Sequence, residues 1–244
     1  MTLPHGFTLV VLDEVDSTND ECRRRADLGL GDGIVVWAQS QTAGRGRRGR
    51  EWSSPKGNLF VSLLIDPQRP MPEAAQLSFV AALALAECLI PLLPGCDIRC
   101  KWPNDVLVNG RKLSGMLLET VPPVGLILGL GVNIVSHPEL ALYPATSLAA
   151  EGTALSAGKM LEAFLGAFAP RLTAWRQEGF AAVRGDWLHH AKGLGEAIVV
   201  RLEQQTLEGI FEGLDLEGGL LLRQADGAVR RILAGDVFFP SPPS

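Results

Sequence analysis

Four arginines and three glycines fill the seven positions from Gly44 to Arg50 (GRGRRGR), in a chain of 244 residues whose formal net charge at pH 7 is −5. Glycines between guanidinium groups let backbone N–H groups and planar forks converge on one point, the arrangement that suits phosphate oxygens. On the residues alone, three readings are open. The plainest is a solvated, flexible turn. The second is a nucleic-acid backbone. Four arginines on about four phosphates give a salt slope of about −3.6, which is weak binding unless more basic surface joins in. The acidic chain offers little such surface, no aromatic residue interleaves the arginines, and no helix-turn-helix pattern precedes Phe7. The third is a small phosphorylated ligand around which the loop orders. Fixing about nine glycine-rich residues costs on the order of 10 kcal/mol at ~1–2 kcal/mol each, so only a multiply charged nucleotide or acyl-adenylate offsets it. Closure would also shield a hydrolysable mixed anhydride from water.

Other residues carry chemistry with alternatives of their own. Ser17, Thr18 and Asn19 open a helix, as an ordinary N-cap or as hydroxyl, amide and N–H partners for a polar ligand head. Lys112 follows the Asn109-Gly110 turn and by itself reads as an exposed hairpin lysine. Asn104 and Asp105, after Pro103, suit a turn or the orientation of a triphosphate and its Mg²⁺. Trp52 is a core residue or a cover for adenine. Gly115, Gly129 and Gly131 lie within strands, where a missing side chain permits close approach of a ligand. GLGVNI lacks the third glycine of a dinucleotide fingerprint and opens no helix. No Ser/His/Asp or Cys/His set suggests a covalent acyl-enzyme. Cys22, Cys88, Cys96 and Cys100 read as buried free thiols: His5, His137, His189 and His190 are scattered, so Cys96 and Cys100 have no second pair at zinc spacing.

The segments DSTN (16–19), QTAGRGRRGREW (41–52), KWPND (101–105), RKLSG (111–115) and GLGVN (129–133) occur in this order. Together they resemble the catalytic domain of the biotin protein ligases, biotin–[acetyl-CoA-carboxylase] ligase, of the short type without an N-terminal DNA-binding domain. The resemblance spans about residues 7–135, and the C-terminal segment joins it mainly through LAGDV. It implies that biotin and ATP, with Mg²⁺, form biotinyl-5′-AMP and that biotin then passes to one lysine of a carrier protein. Two anions must meet, and the resemblance makes Lys112 the ammonium that bridges biotin carboxylate and α-phosphate, with Arg47 the second catalytic cation. It further implies biotin contacts from Ser17, Thr18, Asn19, Gln41, Arg45, Gly46, Arg47, Lys112, Gly115 and Gly131. ATP contacts are implied for Arg47, Arg50, Trp52, Asn104, Asp105, Lys112 and Asn133. No metal ligand is firm, Asp105 being a candidate to orient Mg²⁺. The implied partner is the biotin carboxyl carrier protein domain of acetyl-CoA carboxylase or another biotin-dependent carboxylase, not DNA and not a membrane. Thr42 and Ser114 depart from the expected motifs without removing a charge. The rival on the same architecture is a lipoate or octanoate ligase, whose pocket holds an acyl chain without biotin's ureido head.

These residues need positioning elements. FTLVVLDEV reads as the first strand and DSTNDECRRRADLG as a helix, with capping-box spacing at Thr18 and Glu21, Ser17 as an alternative N-cap and Gly29 as the stop. GIVVWAQS enters the arginine loop and NLFVSLLI leaves it, both as strands. Residues 73–90 form a long apolar helix. Its longest uncharged run, Leu77 to Ala86, is about half of the ~20 residues a bilayer span needs, so it reads as buried. DIRCKW is a short strand, DVLVNGRKLSGMLLE a hairpin at Asn109-Gly110, and VGLILGLGVNI a central strand that could also pair two copies across a two-fold axis as a homodimer. Helical pattern returns over 156–190, with Trp175 and Trp187 in the core. From Gly195 short strands broken by Gly and Asp suggest a small β-barrel, and the tail PSPPS should fray. The expected fold is α/β (α+β): a mixed, largely antiparallel sheet with packed helices, divided as a catalytic domain over 1–192 and a C-terminal β-barrel domain over 193–244. With 47% hydrophobic and 20% charged residues the composition is that of a folded globular chain. The sparse cysteines and the absence of a signal-peptide start point to the cytoplasm.

Overall fold

The computed structural model describes residues 2–123, 125–139 and 143–240. The chain opens with β1 (Thr8–Val15), α1 (Thr18–Asp27) and β2 (Ile34–Gln41), the two strands pairing in parallel. Next come β3 (Leu59–Ile65), α2 (Leu77–Leu89), β4 (Ile98–Lys101), β5 (Asp105–Val108), β6 (Arg111–Val121) and β7 (Gly125–Val132). These strands form a seven-stranded sheet ordered β1-β2-β3-β7-β6-β5-β4, in which every pair except β1–β2 is antiparallel. Asn109 and Gly110, at φ 51° and 74°, make the β5–β6 turn, as their residue types require. β7 is paired on both sides, by β3 and β6, so it offers no edge to a second copy and the expected two-fold pairing through it is not available.

Period-two alternation puts successive side chains of the central strands on opposite faces. Leu63 and Ile65 join the large cluster under α2, α3 (Ala157–Glu178) and α4 (Ala181–His189), while Leu64 joins Cys22 and Ala26 of α1 on the other face. Trp175 and Trp187 are fully buried in the large cluster. The run before α2 is a 3₁₀ segment, Met71–Gln76, so the predicted 73–90 helix is α-helical only from Leu77. By length and composition Met71–Leu89 passes for a membrane span, yet 72% of its apolar window is buried inside the protein, as in a core helix. Cys22 and Cys100 are buried, whereas Cys88 and Cys96 are partly exposed, so the thiols are not all interior.

The capping box does not form. Ser17 takes the N-cap position without a side-chain bond; the Thr18 N–H goes to Gln41 Oε1 at 2.8 Å, and Glu21 is drawn to Arg24 and Arg25. The helix ends at Leu28 and Gly29, whose φ of 83° suits glycine.

The last strands are β8 (Ala197–Arg201), β9 (Thr206–Leu214), β10 (Leu220–Arg223), β11 (Val229–Ile232) and β12 (Asp236–Phe238). They form an open antiparallel sheet ordered β11-β10-β9-β8-β12 in place of the expected barrel, its outer strands not pairing with each other. A sheet covered by another layer needs no closure to bury its face: Phe211, Leu214, Leu220 and Leu222 share the core cluster of α2, and Trp102 Nε1 donates to the Gly218 carbonyl at 3.1 Å. The expected fraying concerns PSPPS, residues 240–244, of which 241–244 lie outside the described residues.

Candidate active site

The face of the large sheet beneath α1 changes character along its length. At one end it is apolar, with Leu64 paired to Ile127. Two residues on, Ser62 pairs with Gly129, and two further on Phe60, Gly131, Gly115 and Asp105 stand side by side across β3, β7, β6 and β5. The glycines clear a floor, and a cavity of about 450 Å³ lies over it, within the size range of small-molecule sites. All fifteen residues singled out as biotin or ATP contacts line this cavity: Ser17, Thr18, Asn19, Gln41, Arg45, Gly46, Arg47, Arg50, Trp52, Asn104, Asp105, Lys112, Gly115, Gly131 and Asn133.

The N-terminus of α1 supplies the polar end. Gln41 Oε1 accepts the Thr18 N–H at 2.8 Å, and Gln41 Nε2 donates to Ser54 Oγ at 2.9 Å. Below them the fully buried Ser62 Oγ lies 2.7 Å from Thr18 Oγ1 and 2.6 Å from Asn19 Oδ1, and Asn19 Nδ2 donates to Glu119 Oε2 at 2.8 Å. The Thr18 hydroxyl donates to Gln41 Oε1 at 3.1 Å, and the Ser62 hydroxyl donates toward the adjacent Thr18 Oγ1 and Asn19 Oδ1. Ser62 and Glu119 had no signal in the sequence, since a serine inside an apolar strand and a glutamate 100 residues from Asn19 resemble any others.

The arginine loop crosses from α1 to β12 and is tied at both sides. Arg45 forms a two-pronged pair with Asp20 at 2.6 and 2.7 Å, and this hydrogen bonding holds the Asp20 carboxyl below its ordinary range. Arg48 and Arg50 both reach Asp236, at 3.1 and 2.6 Å. Burial works to raise the Asp236 carboxyl, but pairing with Arg50 and the neighbouring arginine charges outweigh it and hold it low. Arg47 is different. Its Nη1 donates to Asn104 Oδ1 at 3.1 Å and to the Gly235 carbonyl at 3.4 Å, both neutral acceptors, and among the described residues no carboxylate pairs with it. Desolvation pushes its guanidinium down from the usual range, but an arginine remains charged. Of the four arginines, Arg47 alone has no carboxylate partner among the described residues, while Arg48 and Arg50 share the one carboxylate of Asp236.

Lys112 is re-aimed by a β-bulge. Val106 pairs with Ser114 but Leu107 pairs with Lys112, so Leu113 is an extra residue that turns into the core while Lys112 faces the floor. The displaced backbone is pinned by another segment: Lys112 N–H donates to the Pro144 carbonyl at 2.7 Å, and Thr146 N–H to the Lys112 carbonyl at 2.9 Å. Lys112 Nζ then sits 2.7 Å from Asp105 Oδ1 and 5.3 Å from the centre of the Trp52 ring. Asp105 Oδ2 accepts from Lys101 Nζ at 3.0 Å, and Lys101 lies 4.2 Å from the Tyr143 ring. Burial opposes ionisation of Asp105, yet the two lysines hold its carboxyl below the ordinary range. Lys101, Tyr143 and Asp236 were not anticipated, although Lys101 lay in plain view as the first residue of KWPND.

Residues 12–133 match the Biotin/lipoate A/B protein ligase family, and residues 193–239 match the Biotin protein ligase C terminal domain. The biotin–[acetyl-CoA-carboxylase] ligase of Paracoccus denitrificans is 42% identical over 94% of this chain and 99% of its own length. The chain belongs to the biotin protein ligase family. Similarity extends to the bifunctional ligase/repressor BirA of Escherichia coli, 31% identical over 95% of this chain and 74% of that protein. The solved biotin protein ligase of Aquifex aeolicus in complex with biotin and ATP aligns with a TM-score of 0.83 at 30% identity, covering 95% of this chain and 97% of that one.

Within this biotin protein ligase framework the glycine floor has a sharper meaning than open space for a ligand. A Cβ on Gly131 would lie 2.5 Å from the Trp52 indole, and one on Gly129 would strike Asn19 Oδ1. The glycines therefore admit the protein's own pocket walls, Trp52 and Asn19. Gly131→Ala is expected to displace Trp52 and weaken biotin binding by about tenfold or more in calorimetric titration. Gly166→Ala, on α3 with nothing within 4 Å of the new methyl, should leave binding unchanged and serves as the control.

Proposed function

We propose that this chain is an ATP-dependent biotin ligase that forms biotinyl-5′-AMP from biotin and ATP and then transfers biotin to a lysine of a biotin carboxyl carrier protein. The observation that carries this reading is a single cavity with a polar donor and acceptor end at Thr18, Asn19 and Gln41 and a cationic end at Arg47 and Lys112. A ureido head suits the first and a carboxylate meeting a phosphate suits the second. A lipoyl or octanoyl chain brings no hydrogen-bonding head to this polar end and so forgoes the contacts that a ureido group could make there.

In the first step a biotin carboxylate oxygen bonds to the α-phosphorus while the bond to the β-phosphate oxygen breaks and pyrophosphate leaves. Lys112 and Arg47 offset the repulsion of the two anions and the charge that develops between them. In the second step a neutral lysine amine of the carrier bonds to the acyl carbon, the bond from that carbon to the phosphate oxygen breaks, and AMP departs with release of one amine proton. A loop that excludes water therefore favours transfer over hydrolysis. Mg²⁺ belongs to this proposal: it is ordinarily held by one or two carboxylates together with substrate phosphates. Both Asp105 oxygens are paired with lysine ammonium groups and Asn104 Oδ1 with Arg47. The substrate phosphates would therefore supply most of the ion's ligands, with Asp105 the nearby carboxylate that could orient it; the ion would screen phosphate charge when bound. The acceptor is a carrier domain of acetyl-CoA carboxylase or a related carboxylase, met in the cytoplasm, and the division at residues 192 and 193 belongs to the same reading.

Purified protein given biotin and ATP should catalyse exchange of labelled pyrophosphate into ATP and label a carrier domain. Lipoate and octanoate in the same assay should support no exchange. Absence of exchange at saturating biotin, or equal exchange with lipoate, would overturn the assignment.

A further inference from the structure

Lys101, Asp105 and Lys112 form a row of one carboxylate between two ammonium groups. Lys101 of β4 faces Asp105 of β5 directly in the sheet register, and the Nζ–Oδ2 distance is 3.0 Å; Lys112 Nζ takes the other oxygen at 2.7 Å. The side chains of Lys101 and Asp105 are only 8% and 10% exposed, whereas that of Lys112 is 27% exposed. The Tyr143 ring covers the Lys101 ammonium at 4.2 Å. The difference in exposure decides which lysine can move: Lys101 is held in place, and Lys112 is the member of the row that can turn to a substrate.

Charge counting gives the arrangement a purpose. Asp105 and Lys112 alone would be a neutral pair, and drawing Lys112 away would leave a buried carboxylate uncompensated, a strongly unfavourable state. With Lys101 present the row carries a net charge of about +1, and Asp105 stays paired when Lys112 leaves it. We infer that Lys101 is the standing counter-ion of Asp105 and that this pairing frees the Lys112 ammonium to engage the substrate carboxylate. Lys101 is thus a positioning residue that acts through Asp105 and need not touch substrate. The inference rests on the biotin-ligase reading of this cavity.

The test uses the full chain without ATP or metal and compares biotin with its neutral carboxamide by isothermal titration calorimetry. The ratio of the two affinities reports whether Lys112 is available to a carboxylate, and the carboxamide affinity by itself reports that the pocket is intact. The native chain should prefer the acid by about ten- to a hundredfold, the size of a charge-assisted hydrogen bond. Lys101→Met should bring the ratio close to one while carboxamide binding persists, and Lys101→Arg should restore most of it. Lys101→Met combined with Asp105→Asn should recover the ratio to within about threefold of native, because removing the carboxylate frees Lys112 again. Asp105→Asn alone should keep a ratio at least as large as native, a result independent of how Lys101→Met folds.

An undiminished ratio in Lys101→Met, or a reduced one in Asp105→Asn, would overturn the inference. So would a double variant as impaired as Lys101→Met, which would mean that Lys101 itself holds the carboxylate. If the native chain bound neither ligand, the biotin-ligase reading would fall instead.

Discussion

Replacing Lys112 by methionine should lower biotin-dependent pyrophosphate exchange by about a hundred- to a thousandfold, the loss that follows removal of one preorganised donor from a developing charge. Methionine preserves much of the side chain's length, and the lysine ammonium it replaces lies 5.3 Å from the Trp52 ring centre, so the fold should persist and circular dichroism should be unchanged. The reason for so large an effect is that Lys112 does not sit where an ordinary hairpin residue would. The bulge at Leu113 turns it onto the glycine floor, and the Pro144–Thr146 segment fixes its backbone from the other side. A backbone fixed in this way confines the ammonium's reach to the floor of the cavity, so little reorganisation is needed when charge develops. Exchange within threefold of native in the methionine variant would show that another group bridges the two anions.

The second large effect is expected at Arg47. Arg45 is paired with Asp20, and Arg48 and Arg50 share the one carboxylate of Asp236, so these three side chains tie the loop down. Arg47 rests on two neutral oxygens and can exchange them for phosphate oxygens with a net gain in charge pairing. Arg47→Ala should therefore speed dissociation of biotinyl-5′-AMP by about ten- to a hundredfold while changing the affinity for biotin alone by only about twofold. Asp236→Asn loosens the tether while leaving Arg47 in place and should speed dissociation by only a few-fold. Arg48→Gln should have a similarly small effect. Stopped-flow measurement of adenylate release ranks the three, and an Arg48 effect equal to that of Arg47 would refute the distinction between tether and clamp. Because the tethers are half-exposed ion pairs, their contribution should shrink with added salt.

Much of the architecture could be read before any coordinates. Alternating apolar strands, the Asn109-Gly110 turn, the glycine stop after α1 and the tryptophan-bearing helices are local signals, set by interactions within a few residues. The composition of the arginine loop pointed to a phosphate-bearing ligand with a solvated turn left open, and the five motifs in order supplied much of the remaining cavity lining but not Phe60, Tyr143 or Asp236. Signals that depend on tertiary surroundings were weaker. Thr18 and Glu21 have capping-box spacing, but Gln41, 23 residues away, claims the Thr18 N–H. The C-terminal strands were legible as strands, while their openness depends on the catalytic unit that covers them.

The order of elements, the cationic loop and most of the residues around the cavity were thus determined by the sequence itself, because propensity, periodicity and charge act over short spans. Only the tertiary structure decided which charges remain available. Asp236 reaches Arg50 across 186 residues, Lys101 meets Asp105 through strand register, and one extra residue in β6 swings Lys112 from one face of the sheet to the other. A one-residue shift in a strand reverses every side chain, and the balance of charge in a cavity is a sum over partners that the chain brings together only when it folds.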